Sequence, residues 1–183
     1  WSTPRPTDRA ARKLLSLLNR DGHKGVGSRV FPAPPRMALE MWRRGASQAE
    51  INATSTDKKI SAQAFNILEK IAGADAVVTP ARQDHMREGH PEIAFADTAS
   101  HTLAPKKSVK GVAERRALLE AHAFDIDALA TSLGKKTRRW ALDDLLDACV
   151  LNFVAQRCIR GTGKRLPADP IYDSTGRDMA IWY

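Results

Sequence analysis

The sequence is poor in cysteine and in aromatic residues. It has two cysteines among its 183 residues, and 6% of its residues are phenylalanine, tryptophan or tyrosine. Cys149 and Cys158 fall in one predicted helix at a separation of roughly 13 Å, which is too far for a disulfide. No Cys-x-x-Cys or Cys/His spacing typical of structural zinc occurs. Both cysteines are therefore expected to be buried, reduced thiols, and a cytoplasmic location is expected.

Long apolar runs are also absent from the sequence. No stretch of about 18 apolar residues occurs, so we expect no membrane-spanning helix. The chain also lacks the order of basic, apolar and small residues that is typical of a signal peptide. It opens on Trp1 rather than on methionine. This indicates that a first segment is missing, whether it is disordered, cleaved or carried as a separate piece.

Acidic residues are fewer than basic ones. There are 21 aspartates and glutamates against 29 lysines and arginines, which gives a formal charge of +8. This balance favours anionic partners, nucleic acid first among them. A phosphate backbone would be attracted to two basic clusters, although both could be ordinary solvated faces. The clusters are Lys106, Lys107 and Lys110, and Lys135, Lys136, Arg138 and Arg139.

The hydrophobic pattern predicts a chain that is mostly helical. Apolar spacing and capping residues predict helices at residues 7–19, 61–78, 112–122, 126–132 and 137–160, with shorter ones after Pro35 and Ser47. Only residues 86–95 have the composition of a strand, and Pro91 restricts that strand to an edge, an end or a bulge. So few strands indicate that part of a sheet is missing.

Asp147 is the acidic residue that most needs an explanation. It lies in a stretch of the last predicted helix that is apolar nearly all round, which is typical of a buried helix. A buried carboxylate needs a partner. Asp143 and Asp144 lie within one turn of it, and a carboxylate cluster of this kind suits Mg²⁺. The alternative is that Asp147 pairs with an arginine, while Asp143 and Asp144 only favour the helix N-terminal dipole.

A second candidate site is the sequence His90-Pro91-Glu92. On the predicted strand, His90 and Glu92 would point to the same face, because side chains alternate along a strand. The functional interpretation is a carboxylate with an adjacent imidazole at the edge of a cleft. The alternative is a solvated strand face with no chemical role.

These pieces, in this order, resemble the DUF429 family, whose members are predicted nucleases with an RNase H-like fold. The resemblance covers nearly the whole chain, and it depends on the ordered set of motifs rather than on any one of them. The matching segments are residues 4–12, 30–36 and 61–68, His90-Pro91-Glu92 with Phe95, Lys106-Lys107, residues 111–119 with Arg115, residues 144–148, and Gly176, Met179, Ile181 and Trp182.

The resemblance implies a nuclease site that holds two divalent metal ions. In RNase H-like nucleases the ligands are carboxylates from the first strand, a central strand and the last helix. Asp147 best matches the acid of the last helix, and Asp144 is the second choice. Glu92 matches a further ligand or a base, with His90 near the scissile phosphate. The acid of the first strand would lie before Trp1, so we expect this chain alone to be inactive.

We therefore expect an α/β fold that is RNase H-like and carries a helical insertion. Residues 1–183 would form one DUF429-like domain that lacks its N-terminal strands. Residues 1–80 would form the helical insertion region and residues 81–183 the C-terminal part of the core. The expected function is hydrolysis of phosphodiester bonds in nucleic acid with Mg²⁺ or Mn²⁺. The alternative is a non-enzymatic domain that binds nucleic acid or protein and whose carboxylates are structural.

Overall fold

The fold was analysed in a computed structural model, which describes residues 6–55, 59–134 and 140–183. Helices predominate in these residues, and a small mixed sheet accompanies them. In chain order the helices are α1 (Pro6–Leu17), α2 (Arg36–Arg43), α3 (Gln48–Thr54), α4 (Ala62–Asn66), α5 (Leu68–Val77), α6 (Pro91–Ala99), α7 (Val109–Ala121), α8 (Ile126–Ser132) and α9 (Leu142–Ile159). Short 3₁₀ turns occupy Val26–Arg29 and Pro80–Arg82.

The sheet has three strands of two residues each. They are β1 (Glu88–Gly89), β2 (Arg165–Leu166) and β3 (Ile181–Trp182). β3 lies in the middle, parallel to β1 and antiparallel to β2. The chain is therefore a mostly helical α/β protein, as the sequence predicts at this level.

The predicted helices are confirmed where capping signals mark their starts. Ser47 accepts a hydrogen bond from the backbone N–H of Glu50, whose carboxylate in turn accepts from the N–H of Ser47. Ser61 accepts from the N–H of Ala64. One difference is that the helix predicted for residues 61–78 is divided at Ile67 into α4 and α5. The predicted start of the last helix at residue 137 lies outside the described residues.

The strand predicted for residues 86–95 is wrong except at Glu88 and Gly89. Pro91 instead occupies the first position of α6, where the missing N–H of proline is not needed. The four residues that follow Glu92 are buried on consecutive positions, which fits a helix surrounded by protein. His90 is the extended residue before the helix and Glu92 lies in its first turn, so the two do not share a strand face.

The larger hydrophobic core surrounds α6. Phe95 and Ile93 of this helix are 1% and 0% exposed. Helices α1, α7, α8 and α9 and strand β3 supply the other buried residues, among them Leu15, Leu119, Ile126, Leu146, Val150 and Ile181. This core fixes the position of α9, which carries the candidate carboxylates.

A second hydrophobic core lies within helices α2 to α5. Its buried residues are Ala38, Leu39, Ile51, Ile60 and Leu68. We call residues 36–77 the helical lobe. Helix α1 contributes to the larger core instead, so hydrophobic packing does not follow the predicted division at residue 80. That division as a domain boundary stays a prediction.

Charged side chains connect the helical lobe to residues 160–183, which follow α9 and which we call the C-terminal segment. Asp75 in α5 accepts hydrogen bonds from Arg36 and Arg43, and it lies 3.1 Å from Arg177. Arg36 also reaches Asp173, at 3.0 Å. Burial raises the pKa of Asp173, but hydrogen bonds from Thr175, from the backbone and from Arg36 lower it to about 2. These carboxylates are therefore ionised at neutral pH and hold the lobe in place.

Two further expectations concern the cysteines and the membrane. Cys149 and Cys158 are both free and lie in α9, as predicted, with Cys149 buried and Cys158 partly exposed.

None of the helices in residues 6–55, 59–134 and 140–183 combines the length and the apolar character that crossing a bilayer requires.

Candidate functional site

The N-terminal half of α9 places two carboxylates around one cation. Nζ of Lys106 lies 2.8 Å from Oδ2 of Asp147 and 3.5 Å from Oδ2 of Asp143. The two aspartates are one helical turn apart, so their side chains emerge on the same side of α9. The partner of Asp147 is thus a lysine and not the arginine considered as an alternative. All three side chains are partly exposed, at 21% for Asp147, 23% for Asp143 and 36% for Lys106.

The pKa values of this pair reflect a balance between burial and charge. Burial raises the pKa of Asp147, and the hydrogen bond and charge of Lys106 oppose this shift without cancelling it. Burial would lower the pKa of Lys106, but its contacts with Asp147 and Asp143 outweigh this effect and raise the pKa. The ionised form of Asp147 is therefore stabilised by the nearby ammonium of Lys106.

Removing that cation should shift the titration of Asp147. In a Lys106→Met variant we expect the pKa of Asp147 to rise above its wild-type value, because burial is then less opposed. A folded-state pKa above the unfolded value favours folding at acid pH, and this contribution is lost as the pH rises through the folded pKa. As the pH rises from below the unfolded pKa of Asp147 to above its folded pKa, the variant should therefore lose more stability than wild type. Carboxyl ¹³C NMR titration measures the shift, and urea unfolding at several pH values measures the stability.

The adjacent Lys107 provides the control for this titration. It is exposed, and within the described part of the chain it pairs with no carboxylate. Lys107→Met removes the same charge one residue away, and it should leave the titration of Asp147 nearly unchanged. Equal shifts in both variants would show that general charge, and not the contact at 2.8 Å, controls the carboxylate.

Asp144, predicted as a metal ligand, lies at the beginning of α9 and not beside Lys106. Its Oδ2 accepts a hydrogen bond from the backbone N–H of Ala141 at 2.9 Å. An acceptor at this position satisfies a backbone donor that the first turn of a helix cannot pair. Asp143 takes the place beside Asp147 that the sequence analysis gave to Asp144.

His90 is a mostly buried histidine next to several acidic residues. Its Nδ1 is buried and has no hydrogen-bond partner among the described residues. Burial lowers the pKa of His90, although the charges of Glu92, Glu88, Asp147 and Asp8 act in the opposite direction. A neutral imidazole follows for His90 at neutral pH. Two of these charges belong to the other predicted catalytic residues, Glu92 and Asp147.

Asp8 adds a buried carboxylate to this region. It is 1% exposed, and its Oδ2 accepts a hydrogen bond from the backbone N–H of Ala33 at 3.2 Å. The sequence analysis included Asp8 only as part of the motif over residues 4–12. Its position in the first turn of α1, ahead of the apolar stripe, resembles an ordinary helix-start residue, so its proximity to His90 could not be foreseen.

Glu92 is held by two arginines. Its Oε2 accepts from Nη1 of Arg29 at 2.8 Å, and its Oε1 accepts from Nη2 of Arg115 at 2.6 Å. The same arginines donate to the carbonyl oxygens of Leu103 and Ala104, at 2.9 and 2.8 Å. This network fixes the segment that leads directly into Lys106. The predicted role of Glu92 as a metal ligand or base stays a prediction, and in this structure both of its oxygens are occupied.

The spacing of residues around Arg115 in the sequence could have indicated that this arginine is buried. Gly111, Arg115 and Leu119 follow one another at four-residue spacing, and all three are buried on one face of α7. An arginine at a core position of a helix indicates a buried acidic partner. For Arg29 we find no comparable signal, because it lies in a short 3₁₀ turn.

The structure describes the first of the two predicted basic clusters and not the second. Lys106 is engaged by the two aspartates, and Lys110 lies 3.6 Å from Glu114 with 70% of its side chain exposed. Lys107 is exposed. The second cluster, which comprises Lys135, Lys136, Arg138 and Arg139, lies outside the described residues. Nucleic-acid binding by either cluster stays a prediction.

The chain belongs to a family of unknown function. The sequence model described as "Protein of unknown function (DUF429)" matches residues 2–171, so the family resemblance seen in the sequence is confirmed. Comparisons with curated proteins and with solved structures found no match.

Proposed function

We propose that the protein hydrolyses phosphodiester bonds with the help of a divalent metal ion, and that Asp143 and Asp147 form part of the reacting site. The observation that carries this proposal is the convergence of two carboxylates on the single cation of Lys106. A phosphodiester is anionic, and the chain has a formal charge of +8, which favours such a substrate.

The residues present fit a divalent ion in part. The ammonium of Lys106 shows that a cation is accommodated between Asp143 and Asp147. Mg²⁺ and Mn²⁺ prefer oxygen ligands, and Mg²⁺ is often held by one or two carboxylates together with phosphate oxygens. Each oxygen of Glu92 already accepts a hydrogen bond from an arginine, so as a ligand Glu92 would have to share these oxygens with the ion. The described residues contain no group of three or more potential ligands, so substrate oxygens and water would complete the coordination.

The chain's own side chains would then have separate roles. A bound divalent ion supplies a more acidic water and stabilises negative charge on the leaving oxygen. Asp143 and Asp147 would hold the ion, and Lys106, displaced from them, would pair with a phosphate oxygen. Because burial lowers the pKa of His90, its imidazole is neutral and would be able to take a proton from the attacking water. The network around Glu92 would keep the segment before Lys106 in position.

The RNase H-like architecture belongs to the same proposal. In its support, the sheet is mixed, with a parallel and an antiparallel pair around β3. The helix that carries the acidic residues lies against this sheet, since a Cβ atom added at Gly89 of β1 would stand 2.6 Å from Leu151 of α9. A carboxylate-bearing helix beside a mixed sheet agrees with the arrangement that the family resemblance implies.

Substitution of the two aspartates tests the proposal. We expect Asp147→Asn and Asp143→Asn to reduce Mg²⁺- or Mn²⁺-dependent cleavage on the order of 100-fold, the scale of single stabilising groups in active sites. Cleavage is measured on single-stranded, duplex and branched nucleic acids, with the protein expressed from its complete reading frame. Circular dichroism verifies that each variant is folded.

The matched control is Asp144→Asn. This change removes the same charge from the same helix, and the asparagine oxygen can still accept the hydrogen bond from Ala141. We expect this variant to cleave like wild type. The proposal is wrong if wild type cuts no substrate, or if Asp147→Asn cuts as well as Asp144→Asn does.

A second candidate function is non-enzymatic binding of nucleic acid or protein, with carboxylates that only stabilise the fold. The observation that favours it is the pairing of Glu92 and Asp147 with cations of the chain itself. Thermal melting with and without Mn²⁺ separates the two functions. A metal site predicts a rise in Tm for wild type that Asp147→Asn abolishes. A purely structural pair predicts a lower Tm in the variant and no response to Mn²⁺ in either protein.

A further inference from the structure

A groove of about 410 Å³ runs beside the C-terminal half of α9. Leu151, Val154 and Cys158 of α9 line one side, and Gly89 of β1 and Trp182 of β3 line the other. The volume lies within the roughly 300–1,000 Å³ that is usual for binding sites of small molecules. Both apolar surface and charged groups are present in it, so its occupant should be amphipathic.

Arg87 supplies an available cation at the rim of this groove. Its guanidinium carbon lies over the Trp182 ring, 4.1 Å from the ring centroid, which is a cation–π contact. Within residues 6–55, 59–134 and 140–183, no carboxylate pairs with Arg87. Arg165 approaches the same ring at 5.8 Å, but it donates to Asp178 at 2.7 Å. The N–H groups of Arg87 thus remain available for an acceptor such as phosphate, which a guanidinium binds well.

The floor of the groove offers apolar surface instead of hydrogen-bonding groups. Leu151 and Val154 lie along it, and Ile159 at its far end is 86% exposed. Apolar surface of this kind can bury the flat faces of unpaired bases, whichever base is present. The rim also carries His85 and Asp84, both exposed. Among the described residues that line this groove, Asp84 is the one that would repel a phosphate.

The groove and the carboxylate site lie on the same side of α9, although none of Lys106, Asp143 and Asp147 lines the groove. Leu151 is one turn beyond Asp147, and Val154 and Cys158 follow on the same side of α9. At 1.5 Å per residue, the groove begins roughly 6 Å from Asp147 along the helix axis and extends for about 11 Å more. A polymer that extends beyond the groove toward the N-terminal half of α9 would reach the paired aspartates after this short distance.

We infer that this groove binds single-stranded nucleic acid, with bases on the apolar floor and a phosphate at Arg87, and that it leads the strand to Asp143 and Asp147. A duplex is a poor fit because its bases are stacked inside and do not present their faces to a protein surface. The inference rests on the proposed phosphodiesterase function and specifies the substrate class of that site.

Binding of labelled oligonucleotides without metal ions tests the groove directly. Fluorescence anisotropy compares a 12-nucleotide oligo(dT), a 12-nucleotide oligo(U) and a 12-base-pair DNA duplex. We expect Arg87→Gln to weaken binding of the single strands on the order of tenfold, because a charged hydrogen bond is lost. The slope of log Kd against log salt concentration should fall by about 0.7, the value for one phosphate contact on a single strand. Ile159→Asp should also weaken binding, and its exposed position protects the fold.

Arg160→Gln is the matched control. Arg160 is exposed at the end of α9 and does not line the groove, so this variant should bind like wild type. Unequal affinities for oligo(dT) and oligo(U) would tell whether the groove prefers DNA or RNA, and either preference supports the inference. The inference is overturned if wild type prefers the duplex, if it binds no oligonucleotide, or if Arg87→Gln and Ile159→Asp bind as tightly as Arg160→Gln.

Failure of the groove and failure of the proposed function give different results. If Asp147→Asn abolishes cleavage while Arg87→Gln leaves both single-strand binding and cleavage unchanged, only the groove is wrong. If the groove variants lose binding but cleavage does not depend on Asp147, the catalytic proposal fails, and with it the claim that the groove supplies a substrate to Asp147.

Discussion

An Arg115→Met variant should lose about 3–5 kcal/mol of unfolding free energy, the range found when one partner of a buried ion pair is removed. Arg115 is 1% exposed and donates to Glu92 and to the carbonyl oxygens of Ala104 and Gly111. Methionine fills much of the same space, but it leaves these acceptors with fewer donors or none. Urea unfolding followed by circular dichroism measures the loss.

The neighbouring Arg116 provides the control for this experiment. It belongs to the same helix, but its partners Glu120 and Asp127 are on the surface. Exposed ion pairs contribute little to stability, so Arg116→Met should be much less destabilised than Arg115→Met. Comparable losses in the two variants would mean that the network around Glu92 contributes no more than a surface pair does.

Replacement of Gly111 by alanine should be the second strongly destabilising change. A Cβ atom at this position would lie 2.2 Å from the carbonyl oxygen of Pro105 and 2.7 Å from that of Ala104. Backbone atoms cannot turn away as a flexible side chain can, so α7 must move outward. Overpacking of this kind costs about 1–3 kcal/mol. The clashing carbonyl groups belong to Ala104 and Pro105, which directly precede Lys106, so the titration of Asp147 should change together with the stability.

Gly73→Ala is the matched control on another helix. Gly73 lies in α5, and a Cβ atom there would meet no other atom within 4 Å. Alanine in the interior of a helix is more stable than glycine by roughly 0.5–1 kcal/mol, so this variant should be slightly stabilised. If Gly111→Ala were equally harmless, the close approach of α7 to Pro105 would not be required by the fold.

Local sequence signals predicted the helices well, because these signals act over three or four residues. Ser47 and Ser61 begin helices as their capping positions indicate. The sheet was not predictable in the same way. Strands of two residues are too short to show the alternation of apolar and polar residues by which strands are recognised, and β1 pairs with a strand more than 90 residues later. The proline that weakened the predicted strand marks the start of α6 instead.

Asp147 was singled out from the sequence, but its partner was not. An aspartate in a nearly all-apolar stretch of helix requires a partner, and this argument led to Asp147. Nothing local indicates that the partner is Lys106, which lies 41 positions earlier in the chain. Likewise Arg29 reaches Glu92 across 63 positions. Such contacts depend on how the helices pack. The sequence predicted a strand at the place where α6 begins, so the packing around Glu92 could not be predicted.

The two separate hydrophobic cores have a consequence for any measurement of folding. We expect each core to open by itself, because the described contacts that join the helical lobe to the C-terminal segment include ion pairs and hydrogen bonds that can break without exposing either core. Trp42 packs on the small core, whereas Trp140 and Trp182 pack on the large one. Total tryptophan fluorescence therefore sums two local transitions, and a single midpoint taken from it would describe neither unit.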